Sequence, residues 1–243
     1  RGKVDQAYSL LCAAADSFAP IDPLEPARRR ILHYFAILWK HGLRYGGAAL
    51  PAAEQIISPL LTDTLKAADP WLWAAGQNSR AKALANQGIR TEGAKGTALL
   101  GEAVTAFRAA LEVITRADHP LHWAMTQNNL AAALSDQGSR TEGAKGTALL
   151  AEAVTTYRAA LEVRTRADHP VQWAITQENI AIAQLEIADH DSCTDPQAAL
   201  LAARDAVNKA LTIFDPDHMS YDHGTATRLR ERIQSRLDAL GPG

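Results

Sequence analysis

Apolar side chains recur every three or four residues along most of this chain, which predicts a succession of amphipathic helices. The clearest stripe is predicted in a helix that ends near residue 116, and it consists of Leu100, Ala103, Val104, Phe107, Ala110, Leu111 and Ile114. Other predicted helices include residues 3–18, 27–44, 51–67 and 225–240. The pattern therefore predicts an all-α fold of about ten antiparallel helices.

A long segment of the chain occurs twice, and this repetition organises the whole sequence. Residues 88–124 recur fifty positions later with 30 identities in 37 positions. The same period extends further, because it also relates Pro70, Pro120 and Pro170, and Trp73, Trp123 and Trp173. Three sets of alanines also recur at intervals of fifty residues: Ala81, Ala131 and Ala181; Ala103, Ala153 and Ala203; Ala110, Ala160 and Ala210. Small side chains at fixed phases permit close helix crossings, so the repeat is predicted to be a packing unit.

The fifty-residue period predicts that residues 1–243 form a single array of repeats. Its segments are a half repeat at 3–18, a degenerate repeat at 24–67, clear repeats at 70–116, 120–166 and 170–214, and a capping helix at 222–240. The half repeat at the start leads us to expect a piece of a longer protein. In the capping helix one face is predicted to pack on the array, and it carries Leu229, Ile233, Leu237 and Leu240. The opposite face is predicted to point to solvent, and it carries Arg228, Arg232 and Arg236.

Proline, glycine and small polar residues predict where the helices begin and end. Each repeat has a proline at its expected first helical position, and Asp195 before Pro196 predicts a further N-cap. Two glycines are predicted to end helices in a left-handed conformation: Gly88 and Gly138. Two threonines are predicted to cap the helices that follow: Thr97 and Thr147. Pro59 lies inside a predicted helix and is expected to kink it.

Composition excludes several classes of partner. A formal net charge of −2 and a pI of about 6.5 give no overall attraction to nucleic acid or anionic membrane, so neither is an expected partner. The longest strongly apolar run, residues 31–39, is far shorter than a membrane span of about 20 residues. Cys12 and Cys193 have no metal-ligand spacing and suggest no disulfide framework. A soluble protein in a reducing cytoplasm is expected.

The repeat resembles the tetratricopeptide repeat. Its first helix reads TQNNLAAALSDQG, with Leu130, Ala131 and Leu134 at the core positions of that family. Its second reads EAVTTYRAAL, with the small-aromatic-small set Ala153, Tyr157 and Ala160. The paired asparagines resemble the kinesin-light-chain type, and the fifty-residue unit resembles bacterial proteins with long repeats. The resemblance implies a right-handed solenoid, although the unit is about 16 residues longer than the usual 34.

The resemblance also implies a concave binding face lined by the first helix of each unit. The residues of this expected peptide-binding groove are Asn78, Ser79, Lys82, Met125, Asn128, Asn129, Asp136, Asn179 and Glu186. In related repeats the second asparagine of the pair binds a peptide backbone, so the resemblance implies this role for Asn129 and Asn179. An amide both donates and accepts, so this role suits it chemically. The alternative is that these amides bond to the neighbouring helix and only hold the repeats together.

Catalytic chemistry has little support in the sequence, and no cofactor is expected. The GAKGT loops lack the spacing of a phosphate-binding loop. The recurring Asp-His pairs at 118–119 and 168–169 favour helix capping over a catalytic dyad. A second cluster lacks a third spaced ligand for a metal: Asp217, His218, Asp222 and His223.

The expected function is that of a non-enzymatic scaffold that binds a protein or peptide segment in its groove. Two alternatives stay open. One is a sensor or regulatory domain that acts on an effector domain of the same, larger chain. The other is a module for self-association.

Overall fold

The structure, a computed structural model, describes residues 2–240, and the regular structure in this range is entirely helical. The all-α fold class is thereby confirmed. The helices are α1 (Gly2–Asp16), α2 (Glu25–Arg29), α3 (Phe35–Tyr45), α4 (Ala49–Gln55), α5 (Asp63–Ala68), α6 (Pro70–Ile89), α7 (Gly93–Leu111), α8 (Pro120–Gly138), α9 (Gly143–Leu161), α10 (Pro170–Asp189), α11 (Pro196–Leu211) and α12 (Ser220–Leu240). Within residues 2–240 no helix combines the length and the apolar character that a membrane crossing requires.

The degenerate repeat is more broken than its sequence predicts. The helix predicted at 27–44 contains a π-helical turn, Arg30–Tyr34, between α2 and α3. The helix predicted at 51–67 ends at Gln55 and is followed by a 3₁₀ turn, Ser58–Leu60, and by α5. The prediction of a kinked but continuous helix at Pro59 was therefore wrong. Proline removes a backbone donor and clashes with the preceding turn, so the chain stops and restarts with Thr62 as the N-cap of α5.

The described helices form two compact units, which meet in sequence between Asp118 and His119. In the first unit α6 packs against α7, α4 packs against α3 and α6, and α5 packs against α6. Its core contains the fully or almost fully buried side chains of Ile31, Phe35, Leu38, Ile56, Ile57, Leu72, Leu84, Leu100 and Phe107. The prediction of one continuous array over the whole chain stays a prediction.

In the second unit each helix from α8 to α11 packs against the next one in sequence. Alternate helices also touch, because α10 contacts both α8 and α12. One core cluster runs through all five helices and includes Ala131, Tyr157, Ile180, Val207, Phe214 and Ile233. The first helices of successive repeats therefore lie side by side, and α12 occupies the corresponding place at the end.

The small residues of the repeat are buried as predicted. Ala153, Ala160, Ala203 and Ala210 have no exposed surface, and the same holds for Ala81, Ala131 and Ala181 on the first helices. Because no side chain larger than a methyl group separates the backbones there, the helices can approach closely. The fifty-residue period is thus a packing period.

The glycine and threonine predictions at the helix ends were wrong. In the two clear repeats the glycines with positive φ are Gly93 and Gly143, which stand at the first residues of α7 and α9. The helices α7 and α9 therefore begin four positions before Thr97 and Thr147, the expected caps, and both threonines lie inside the helices. Gly88 and Gly138 are helical instead. They are glycines because a Cβ at Gly138, for example, would lie 2.9 Å from Leu150 Cγ and 3.0 Å from the carbonyl oxygen of Gly146.

Other predicted helix starts are confirmed. Pro70, Pro120, Pro170 and Pro196 each begin a helix. Asp195 is the N-cap of α11 and accepts a hydrogen bond from the backbone N–H of Ala198 at 2.9 Å. The Asp-His pairs do not cap in this way, since the His169 side chain makes no cap bond to α10. Asp168 instead closes its own loop, where its N–H donates to Thr165 Oγ1 at 3.1 Å.

The predicted packing of the capping helix α12 is confirmed except at its end. Ile233 is fully buried, and Leu229 and Leu237 are half-buried against the core of the second unit. Leu240 is 50% exposed, so its predicted inward position was wrong, because it lies at the last residue of the helix. Two of the exposed arginines, Arg232 and Arg236, form ion pairs with Asp189 of α10 at 3.2 and 2.6 Å.

Candidate functional site

The predicted groove residues of the second unit lie on α8 and α10, which contact each other. Their three- and four-residue spacing places them along one stripe of each helix. We call this surface the α8–α10–α12 face and define it by Met125, Asn129 and Asp136 of α8, Asn179, Ile182 and Glu186 of α10, and Thr225, Leu229 and Arg232 of α12. The side chains from α10 and α12 line one cavity, which shows that these two helices share the surface.

Two side-chain hydrogen bonds connect α8 to α10. The Thr176 hydroxyl lies 3.2 Å from Asn128 Oδ1 and 2.8 Å from the carbonyl oxygen of Gln172. Ser135 Oγ donates to Glu186 Oε2 at 2.6 Å. The sequence analysis missed Thr176 and Ser135, although the repeat pairs Thr176 with Thr126, and both threonines are fully buried. Asn128 thus links the two repeats, as the structural alternative for the asparagines expects.

Asn129 and Asn179 differ from Asn128. They occupy equivalent positions, fifty residues apart, on adjacent helices, and both are half-buried. Neither side-chain amide makes a hydrogen bond to another group in the described part of the chain. Their donors and acceptors therefore remain available at the surface.

Apolar side chains flank these asparagines on the same stripes. Met125 is one turn before Asn129 and is 36% exposed, and Ile175 is one turn before Asn179 and is 38% exposed. Ile182, at 39% exposure, follows Asn179. Each asparagine thus has an exposed apolar neighbour along its helix, which makes the surface amphipathic.

Two cavities open on the second unit close to these residues. One has a volume of about 350 Å³ and is lined by Glu178, Ile182, Leu185, Glu186, Thr225, Leu229 and Arg232. The other has a volume of about 370 Å³ and is lined by Leu121, His122, Met125, Arg164, His169 and Gln172. Each is large enough to take the side chains of a peptide, and each contains both apolar and charged groups.

Two carboxylates, Asp136 and Glu186, lie near each other beside the Ser135 bond. Burial raises the pKa of Asp136, against a smaller opposing effect of Arg140. Burial also raises the pKa of Glu186, and the charge of Asp136 adds to this, while the Ser135 bond and Arg232 oppose it. On Tyr157, burial and then the charges of these two carboxylates raise the pKa of the phenol. Burial thus disfavours the charged form of each carboxylate, and the opposing effects of Arg140, Arg232 and the Ser135 bond are smaller.

The predicted groove residues of the first unit lie on α6. Asn78 is 9% exposed, and Ser79 and Lys82 are half-buried. The Lys82 ammonium lies 4.1 Å from the centroid of the Trp39 ring, and burial lowers the pKa of this lysine. Lys82 is thus held in a cation-π contact within its own unit.

A buried histidine, which the sequence analysis did not single out, joins two loops of the second unit. His190 Nε2 is 2.9 Å from the carbonyl oxygen of Thr141, and its Nδ1 is 2.7 Å from Asp191 Oδ1 and 3.2 Å from Thr147 Oγ1. Both ring nitrogens are thereby engaged in holding the start of α9 to the loop after α10. Among residues 2–240 no group of three or more His, Cys, Asp or Glu side chains is arranged to hold a metal ion.

Comparisons of the chain with protein-family models, with curated proteins and with solved structures find no match. The class of protein defined by the fold is an all-helical protein with a fifty-residue repeat. The tetratricopeptide resemblance therefore depends on the repeat residues alone, and the function must be argued from the site.

The raised pKa values of Asp136 and Glu186 predict an unusual pH dependence of stability. The folded state holds protons on these groups more strongly than the unfolded chain does, so their contribution to stability increases as the pH falls. This gain in stability develops as the pH falls from the raised pKa values of the folded state to the ordinary pKa values of 3.8 for Asp136 and 4.5 for Glu186. Urea unfolding at about pH 7 and about pH 5 should therefore show a larger gain on acidification for the wild type than for an Asp136→Asn/Glu186→Gln variant.

This comparison also has an internal check. At neutral pH the double variant should be at least as stable as the wild type, because two buried charges are removed while the glutamine oxygen can still accept the Ser135 bond. Equal pH profiles for the two proteins would show that the carboxylates are not desolvated in the folded state. Asp22 and Asp215, whose pKa values are lowered by hydrogen bonds, lose their contribution only at lower pH and do not obscure the test.

Proposed function

We propose that this chain is a non-enzymatic binding protein whose α8–α10–α12 face holds an extended segment of another protein. The proposal includes the tetratricopeptide type of the repeat and the right-handed solenoid that this type implies. The partner is a peptide or a protein segment, with no nucleic acid and no membrane.

One observation carries the proposal: Asn129 and Asn179 keep equivalent amides at the surface without a hydrogen bond to any group in residues 2–240, while the neighbouring Asn128 links the two helices. A half-buried amide without a partner makes no contribution to folding that would explain its place in both repeats. An extended backbone offers alternating N–H and C=O groups, and an amide side chain can bond to either. Two such amides on adjacent helices can therefore hold a peptide backbone whatever its side chains.

The surroundings of the asparagines support the same proposal. The exposed Met125, Ile175 and Ile182 provide apolar contact area beside the amides, and the two cavities provide space for side chains. Recognition of an extended segment commonly combines backbone hydrogen bonds with pockets for alternate side chains. The face offers both elements within one unit.

The proposal is tested with a random-peptide display library selected on the immobilised full chain. Affinities of the enriched peptides are then measured for the wild type and for an Asn129→Ala/Asn179→Ala variant. Two lost hydrogen bonds are each worth about 1 kcal/mol, so we expect binding to weaken by about tenfold or more. The free energy of unfolding of the same variant, measured in urea, should change by less than about 0.5 kcal/mol, since neither amide is hydrogen-bonded to another residue of the described range.

The matched control is Asn208→Ala, which removes an exposed asparagine from α11. This variant should bind the enriched peptides like the wild type. Light scattering over the same concentrations checks that the chain stays near 26.2 kDa, so that self-association does not occupy the face. Failure to enrich any peptide, or equal binding by the Asn129/Asn179 variant, would overturn the proposal.

A further inference from the structure

The larger of the two cavities of the second unit, with a volume of about 370 Å³, has one arginine on its walls. We call it the Arg164 cavity. Arg164 lies in the segment after α9, and the other lining residues are Leu121, His122 and Met125 of α8 and His169 and Gln172 at the start of α10. No carboxylate is among the described residues that line it. The arginine therefore has no opposite charge on the walls of its own cavity.

The guanidinium of Arg164 also has no partner elsewhere in residues 2–240, where it forms no ion pair and donates no hydrogen bond. The next acidic residue along the chain, Asp168, accepts a hydrogen bond from Thr165 Oγ1 at 2.6 Å instead. Arg164 is half-buried, and burial lowers the pKa of its side chain. A charge is thus partly removed from water with no described group to compensate it, which is unfavourable for the chain alone.

The neighbouring repeats show that packing does not require an arginine at this position. Fifty residues before Arg164 the chain has Ile114, and fifty residues after it the chain has Phe214. Both side chains are buried, with 4% and 1% of their surface exposed. The second clear repeat therefore carries a charge where the repeats on either side carry core residues. Since the charge has no partner within the described chain, we look for its partner in a bound molecule.

We propose that the Arg164 cavity receives the carboxylate of a glutamate or aspartate side chain of the bound segment. This inference depends on the proposed function, because it names a chemical feature of the segment that the α8–α10–α12 face holds. A guanidinium presents paired N–H groups whose spacing matches the two oxygens of a carboxylate. His169 and Gln172 are further side chains on the same walls that can form hydrogen bonds.

The position of the cavity suits a segment that is held by the asparagines of the face. Met125 belongs both to the cavity lining and to the face, and it lies one helical turn, about 6 Å along the axis, before Asn129. About two residues of extended chain cover this distance. The acidic residue should therefore occur at a fixed place in the segment. Leu121 and Met125 offer apolar contacts to its methylene groups.

A carboxylate fits the cavity better than a phosphate group does. A carboxylate has one negative charge, which one arginine balances, whereas a phosphate monoester has a charge of about −1.5 to −2 at neutral pH. Among the described residues no lysine and no second arginine lines the cavity. The additional charge of a phosphate would therefore be buried without compensation.

The experiment uses the display selection on the immobilised full chain. The peptides are joined to their carrier through their C-termini, so that no free chain end supplies a carboxylate. Enriched peptides should share a glutamate or aspartate at one fixed position. In the best peptide, synthesised with an amidated C-terminus, replacing this residue by its amide should weaken binding to the wild type by at least tenfold. The same replacement should change binding to an Arg164→Ile variant by less than threefold.

Matched variants separate the cavity from folding and from general charge. Arg164→Ile should unfold in urea at no lower concentration than the wild type, because Ile114 fills the equivalent place in the preceding repeat. Arg164→Gln, which stays polar but has no charge, should lose the acidic preference in the same way. Arg230→Ile makes the same substitution at an exposed position of α12 and should keep the preference.

Two results would overturn the inference. An acidic preference that is unchanged in both Arg164 variants would show that this arginine only extends its charge into water. A peptide with phosphoserine at the acidic position that binds the wild type more than tenfold more tightly than the glutamate peptide would show that the cavity is not built for a carboxylate.

The outcomes also distinguish this inference from the proposed function. Enriched peptides that depend on Asn129 and Asn179 but share no acidic position would overturn the role of the Arg164 cavity and leave the binding face intact. A selection that enriches no peptide on the wild type would overturn both.

Discussion

Replacing Gly146 by alanine should lower the free energy of unfolding by about 3 kcal/mol or more, because the added methyl group has no space. A Cβ at this position would lie 1.8 Å from the carbonyl oxygen of Thr141, 2.4 Å from His190 Nε2 and 2.9 Å from the carbonyl oxygen of Gly138. Two of these atoms belong to the backbone and cannot move without displacing α8 or the loop before α9. The bond between His190 and Thr141 would be lost as well. Urea unfolding followed by circular dichroism measures the change.

The matched control is Gly224→Ala in α12. Its Cβ would meet only Arg228 Nη1, at 3.5 Å, and the helix should gain about 0.5–1 kcal/mol from the better helix former. Opposite signs for the two glycine variants are therefore expected. A Gly146→Ala protein as stable as the wild type would contradict the close approach of α9 to the 138–141 segment.

Replacing Phe214 by alanine should lower the free energy of unfolding by about 3–5 kcal/mol, the usual cost of removing a buried aromatic ring. Phe214 follows α11, is 1% exposed and belongs to the core cluster of the second unit, together with Ala226 and Ile233 of α12. The cavity would thus lie beside the surface on which α12 packs. Hydrogen exchange of α12 amides should become faster than that of α10 amides in the variant.

Tyr221→Ala is the control for this second prediction. Tyr221 is also aromatic and close in sequence, but it is 80% exposed, so its removal should cost less than about 0.5 kcal/mol. A similar small effect for Phe214→Ala would show that α12 is held mainly by the ion pairs of Arg232 and Arg236 with Asp189. Repeating the unfolding in high salt would then weaken α12, since exposed ion pairs are screened.

The sequence predicted the packing of the repeat well, because its information is local and periodic. A 3.6-residue pattern with alanines at fixed phases is enough to predict which helix faces are buried, and Ala153 and Ala203 are indeed fully buried. The helix starts at Pro120, Pro170 and Pro196 were likewise predicted, since proline without an N–H suits the first helical turn. Leu240 was an exception because periodicity alone does not show where a helix leaves its neighbour.

The ends of the helices could not be predicted equally well. Gly138 and Gly143 are both glycines near a helix end, so the sequence does not distinguish them. Gly138 nevertheless lies within α8, whereas Gly143 has a positive φ. Which glycine provides a turn and which provides space is decided by the neighbouring chain, here Leu150 and Gly146 against Gly138. The local sequence does not indicate that contact, because it joins two different helices.

For the candidate site, the sequence by itself determined which residues share the stripes of α8 and α10, because helical spacing fixes a face. Only the tertiary structure decided their hydrogen bonds: Asn128 is bonded to Thr176 and Ser135 to Glu186, whereas the amides of Asn129 and Asn179 have no hydrogen-bond partner among the residues that the structure describes. The tertiary structure also buries Tyr157 of α9, and burial and then the charges of Asp136 and Glu186 raise the pKa of its phenol. The physical reason is that periodicity reports the direction of a side chain from its own helix axis, whereas a hydrogen bond or a shared charge depends on the distance between helices.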